Sequence, residues 1–183
     1  PFAVISDTIT IPSSVIEGDR IWQETAPTVG ISYRVDDQAM VYVRYATGYL
    51  PGHFDEDAQS VEAAKPAASQ TSKSLEFGLK SEWYDDMLRI NLAAFRVDLS
   101  DGIEQFPVRG TSGRVELQRR NVYDLESRGL ELEFEITPLE NLRILGALSH
   151  LKTEYARFLI PDLTTPPDQF RDLSPLIPPR SPA

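Results

Sequence analysis

The sequence contains no cysteine, which excludes disulfide bonds, thiolate metal sites and cysteine nucleophiles together. Its two histidines, His53 and His150, stand alone, with no second histidine or paired cysteine at ligand spacing, so no metal site is expected. No stretch approaches the roughly 18 consecutive apolar residues that a membrane helix needs. That closes the helical route across a bilayer but leaves open the route taken by alternating strands. Positive charge is scarce: 18 Lys and Arg against 28 Asp and Glu give a net charge of -10, the wrong sign for a nucleic-acid surface. The opening residues "PFAVISDTIT" show no initiator Met, no basic region and no apolar signal core, so the chain is expected to be a piece of a longer protein. What is present is 183 residues, 41% hydrophobic and 25% charged, a composition compatible with one ordinary domain and its core.

The strongest pattern is strict alternation. In "RGLELEFEI" the apolar Leu130, Leu132, Phe134 and Ile136 interleave with Glu131, Glu133 and Glu135, which specifies a strand with one apolar and one acidic face. The same period runs through Val29, Ile31, Tyr33 and Val35, through Val41, Val43 and Tyr45, and through Leu75, Phe77 and Leu79. Leu88, Ile90 and Leu92 begin another strand whose phase blurs across Ala93, Ala94 and Phe95, where a β-bulge is expected. The stretch from Leu142 to Leu151 is apolar on both faces and reads as a strand. Helices fail where they could be tried: Pro66 interrupts "QSVEAAKPAASQ", and the proline-rich tail lacks a 3.6-residue period. The fold class is therefore all-β, an antiparallel meander.

The connections alternate in length. Asp36 to Ala39, Asp85 with Asp86, and Pro138 to Asn141 are short polar turns that close hairpins. Leu50 to Thr71, Ser100 to Asp124 and everything after Tyr155 are expected as long loops. Short turns at one end and long loops at the other is the arrangement of outer-membrane barrels, and strands of about 9 to 11 residues suit a tilted crossing. Aromatic residues near strand ends, Tyr33, Trp83 and Tyr84 at the turn side and Tyr49 and Tyr155 at the loop side, fit two interfacial girdles. Arg34, Arg44, Glu76, Lys80, Glu82, Arg89, Glu131 and Glu133 would cover the reverse, polar face. A soluble β-sandwich or adhesin-like binding domain uses the same alternation to bury a core, and a passive outer-membrane barrel shares it too.

The runs "VYVRYATGYLPGHF", "SLEFGLKSEWYDDMLRINLAAFRVDLSDG" and "SRGLELEFEITPLENLRILGALSHLKTEY" resemble, in their order and spacing, the barrel domain of TonB-dependent outer-membrane receptors. The resemblance covers roughly Thr25 to Ala183. It implies a partial segment of a 22-stranded transmembrane β-barrel with long extracellular loops, located in the bacterial outer membrane. Residues 1–24 would be a loop or partial strand leading into the barrel, 25–155 barrel strands in hairpins, and 156–183 an extracellular loop cut before the next strand. It further implies energy-coupled uptake of a scarce ligand, a ferric siderophore above cobalamin, haem or glycan. The TonB complex would be a partner through a plug segment that this chain lacks, and outer-membrane lipid would be another.

Nothing in the sequence assembles a catalytic set or calls for a cofactor, since no serine is paired with a base, and the chain is not expected to be an enzyme. Arg109, Arg114, Arg119 and Arg120 flank the Ser100 to Asp124 connection and are the candidates for binding an anionic ligand such as a ferric siderophore; plain solubilising charge is the other reading of them. The acidic run Asp55 to Asp57 reads as a solvated loop in preference to a calcium site.

Overall fold

The computed structural model describes residues 2–11, 14–55, 58, 63–109, 113–161 and 170–178, with side chains from Arg20 onward. Every regular element among the described residues is a strand: β1 (Phe2–Ile11), β2 (Ser14–Gln23), β3 (Thr28–Arg34), β4 (Ala39–Leu50), β5 (Gln70–Trp83), β6 (Leu88–Arg109), β7 (Val115–Leu139), β8 (Leu142–Pro161) and β9 (Phe170–Asp172). β1 and β2 form a hairpin of their own over the stretch read from sequence as a loop or partial strand. The other seven strands form one sheet in chain order, each antiparallel to the next. The meander follows from the turns. Val35 N–H bonds Ala39 C=O and Gln38 N–H bonds the Asp36 carboxylate, which leaves β4 no place but beside β3. Between β5 and β6 the chain reverses through Tyr84, Asp85 and Asp86, all at positive φ, where aspartate is better tolerated than most residues.

Register fixes the faces. Tyr33, Val41, Leu79, Leu92, Leu132 and Leu148 are successive cross-strand partners from β3 to β8, so all six lie in one row on one face. The next row is Ile31, Val43, Phe77, Ala94, Leu130 and His150. The interleaved row on the opposite face reads Tyr42, Gly78, Ala93, Glu131 and Ser149. The alternation seen in separate strands therefore stays in phase across the sheet, and the β3–β4, β5–β6 and β7–β8 hairpins pair as the short turns require.

Four expectations change. The connection from Ser100 to Asp124 is not a loop: β6 and β7 continue to Arg109 and from Val115 as a long ladder. Pro107 lies where the β5–β6 ladder has already ended at Thr71 and Ser100, so among the described residues only β7 flanks it. The bulge is absent from Ala93 to Phe95, where pairing is regular, and lies at Leu99 to Ile103, with Asp101 at positive φ. β8 runs past Tyr155 to Pro161 and pairs with β9. Tyr155 is part of no girdle on the apolar face: it shares its side with Leu125 and packs its ring on Tyr123 and Phe158.

Among the described residues, buried apolar side chains gather at the loop end and not under the apolar rows. Trp22, Phe54, Ala58, Ala63 and Ala64 form one cluster, Trp22 meeting Phe54 edge-on. Phe106, Val108 and Val122 form another, with Tyr123, Phe158 and Ile160 against it. The apolar rows themselves stay open: Ile31 is 69% exposed, Phe77 54% and Leu148 66%.

Candidate functional site

Two surfaces carry chemistry: the polar face of the sheet and the hairpin that rises beyond it. On the polar face the Tyr42 hydroxyl donates to Glu76 at 2.6 Å, and Lys80 stands over the Tyr42 ring. Asn91 donates to Glu133 across β6 and β7, and together with Tyr42, Glu76, Lys80 and Glu131 these line a depression of about 200 Å³. Toward the short turns a chain of ion pairs runs Glu82, Arg89, Glu135, Arg143, so the acidic strand found first in the sequence is crossed by basic partners from both neighbours. A wider cleft of about 400 Å³ opens beside it, lined by Arg89, Asn91, Glu133, Glu135 and Ala147.

The four arginines do not form one cluster. Pairing of Gln105 with Arg119 and of Arg109 with Val115 puts Arg109 and Arg119 on one face of the hairpin, beside exposed Leu117. Arg120 pairs with Glu104 on the other, next to Gln118 and Phe106. Arg119 Nη1 sits 3.4 Å from His53 Nε2, Arg120 Nε donates to Gln118 Oε1 at 2.9 Å, and Arg109 Nη1 donates to the Gly113 carbonyl at 3.0 Å. Arg114 lies in the tip between the strands and is held by contacts of its own. Of the acidic run only Asp55 lies within the described residues, and it is buried. Among the described residues no group of three or more His, Cys, Asp or Glu could hold a metal ion.

Sequence reasoning missed the residues that tie this end together. The Asn121 carboxamide accepts from Ala68 N–H and donates to the carbonyls of Ala68 and Asp101, pinning the β4–β5 connection to the hairpin. Arg157 grips Asp124 through two nitrogens, at 2.8 and 3.3 Å, and Asp101 N–H donates to the same carboxylate at the bulge. The Arg157 hydrogen bonds hold the Asp124 carboxyl below the usual carboxylate range; burial opposes them and the Asp101 N–H adds to them. Continued alternation in "VELQRRNVY" was the available signal for these strands; the side-chain partners, 20 to 53 residues apart, left none.

A family model for the TonB dependent receptor-like β-barrel matches residues 7–179. The fold is similar to the ferric yersiniabactin uptake receptor FyuA from Yersinia pestis, with TM-score 0.63 and 16% identity over 81% of this chain and 25% of that one. It is likewise similar to the ferripyoverdine receptor of the Pseudomonas aeruginosa outer membrane (0.56, 19% identity, 78% and 18% covered). A third is BauA, the ferric preacinetobactin receptor from Acinetobacter baumannii (0.55, 22% identity, 79% and 20% covered). The chain thus spans about a quarter or less of these receptors. With its two-faced meander and its extended hairpin, the chain belongs to the TonB-dependent receptor family, whose members are β-barrels of the Gram-negative outer membrane.

Proposed function

We propose that this chain supplies consecutive strands of a 22-stranded barrel in a receptor that takes up a ferric siderophore with energy delivered by TonB. The observation that carries the reading is the open apolar face. Rows of leucine, isoleucine, valine and phenylalanine stay in register across six strands, and among the described residues no second layer covers them. Water would not tolerate so large a patch, whereas lipid is as apolar as the rows themselves. A sandwich would bury that face against a second sheet. The reverse face, with Tyr42, Glu76, Lys80, Arg89 and Glu133, then lines the lumen and meets a plug supplied by the rest of the protein. The β6–β7 hairpin stands on the extracellular side with the β4–β5 connection tied to it, and Arg109, Arg114, Arg119 and Arg120 offer charge-assisted donors to an anionic ligand there. The role is transport and recognition, not catalysis.

The test is uptake by the full-length protein. Cells expressing it under iron limitation should accumulate radiolabelled ferric siderophore in a TonB-dependent way. Uptake of cobalamin, haem or a glycan in its place would keep the barrel and replace the ligand. Uptake that persists without TonB would overturn energy coupling.

A further inference from the structure

β6 runs further than its neighbour on one side. The β5–β6 ladder ends at Thr71 and Ser100, while β6 continues to Arg109 paired with β7. Among the described residues no strand lies along the other edge of the stretch from Asp101 to Arg109, about 30 Å of extended chain. A bare edge of that length is a template for a further strand.

Two hydrogen bonds show which backbone groups line this edge. Ile103 N–H donates to the side-chain oxygen of Gln70, at the start of β5, at 3.3 Å, so it points away from β7. Gln105 N–H donates to Glu104 Oε1 at 3.4 Å. Pairing with β7 is regular from Ile103 to Arg109, and the N–H groups of every second residue leave a strand on the same side. The free edge therefore holds the amide positions of Ile103, Gln105, Pro107 and Arg109. The first is capped by Gln70, the second by Glu104, and the third has no hydrogen to give. Below them the bulge from Leu99 to Ile103 breaks the line of the edge, and the Asp101 N–H goes to the Asp124 carboxylate at 2.8 Å. A capped donor, a proline and a bulge each make an edge unfit for strand addition, and all three lie in this one stretch.

We propose that Gln70, Glu104 and Pro107 guard the edge of β6 beyond Ser100 against strand addition, and that the strand they refuse is the same edge of a second copy of this receptor. The partner is argued from the edge itself. Antiparallel self-pairing about a two-fold axis at Phe106 sets Gln105 opposite Pro107 twice and Ile103 opposite Arg109 twice, so every odd-numbered residue must supply its N–H. A foreign strand would meet one set of closed donors; a second copy meets two. The guard is independent of what the receptor takes up.

Sedimentation equilibrium of the full-length receptor in micelles tests this. Wild type should be monomeric at every concentration. Pro107→Thr removes no hydrogen bond and restores one donor, and should already self-associate. Adding Gln70→Ala and Glu104→Ala frees the Ile103 and Gln105 donors, each tightening association about two- to tenfold. Hydrogen exchange at Ile103 and Gln105 in that triple variant should slow as receptor concentration rises. Placing Gln105→Pro on top of the three changes should return the receptor to monomer, because this N–H points away from β7 and its loss leaves the hairpin ladder whole; a misfolded protein would not be repaired by another proline. Variants that all stay monomeric overturn the proposal. So does association that Gln105→Pro leaves unchanged, or a wild type that self-associates until Gln105→Pro is introduced. Should the triple variant fail to fold, Pro107→Thr with and without Gln105→Pro gives the same outcomes.

Discussion

Tyr42 lies flat across Gly78, its register partner on β5, and from there donates its hydroxyl to Glu76. A methyl group at position 78 would fall within the tyrosine ring. Phe95 covers Gly129 and Phe134 covers Gly146 in the same manner, so aromatic rings close over glycines on both faces of the sheet. Gly78→Val should expel the Tyr42 ring, break the bond to Glu76 and destabilise the barrel by about 1–3 kcal/mol. The midpoint of denaturant unfolding in micelles measures it, and Tyr42→Ala combined with Gly78→Val should recover part of the loss.

The two faces should answer differently to charge. Leu132→Arg places a cation in the middle of the apolar rows and should cost about 2–4 kcal/mol in a lipid-facing strand. Its neighbour Glu131→Gln, on the polar face, should change stability by well under half of that. Equal costs at the two positions, measured by unfolding from vesicles, would contradict the assignment of faces.

Asp124 gives the hairpin a defined pH response. It lies six residues beyond Leu130 along β7, outside the apolar rows, with its carboxyl held below its ordinary value by Arg157. A depressed folded-state pKa means that its contribution is complete above the ordinary carboxylate pKa, about 3.9, and is lost as pH falls through the depressed value. Protection of the Asp101 amide, its exchange rate relative to that of a free amide at the same pH, should stay high at neutral pH and fall only in that acid window, because its N–H bonds this carboxylate. Arg157→Gln should move the onset upward toward the ordinary value.

The split of the arginines between two faces of the hairpin makes their proposed ligand role testable face by face. Removing Arg109 and Arg119 together, or Arg120 alone, should lower affinity for a ferric siderophore about tenfold for one face and leave the other within twofold. Fluorescence quenching of the purified full-length receptor distinguishes them. Equal losses on both faces would mean that the ligand is not read by one side of this hairpin.

The isolated chain offers a last check. Among the described residues its apolar rows have no covering layer, and β3 carries a partner on one side only. Made alone in plain buffer it should sediment as aggregates. A monodisperse, cooperatively melting monomer would show that the apolar rows bury one another.

The sequence alone determined which residues share a face and which strands are neighbours. A period of two turns Leu130, Leu132 and Phe134 to one side whatever the surroundings, and turns such as Asp36 to Ala39 are too short for any but antiparallel pairing. The family resemblance was legible for the same reason, since it lies in strand ends and turns. Tertiary structure decided how far the strands run and which side chains meet. Asp101, Gly102, Pro107 and Gly113 read locally as breakers, yet β6 and β7 pass through or around them, because a bulge absorbs the irregularity and Pro107 lies where no strand flanks β6 on its other edge. The clasp of Arg157 on Asp124 depends on register between strands. That register is set by the summed pairing of a whole ladder, and no single stretch of sequence contains it.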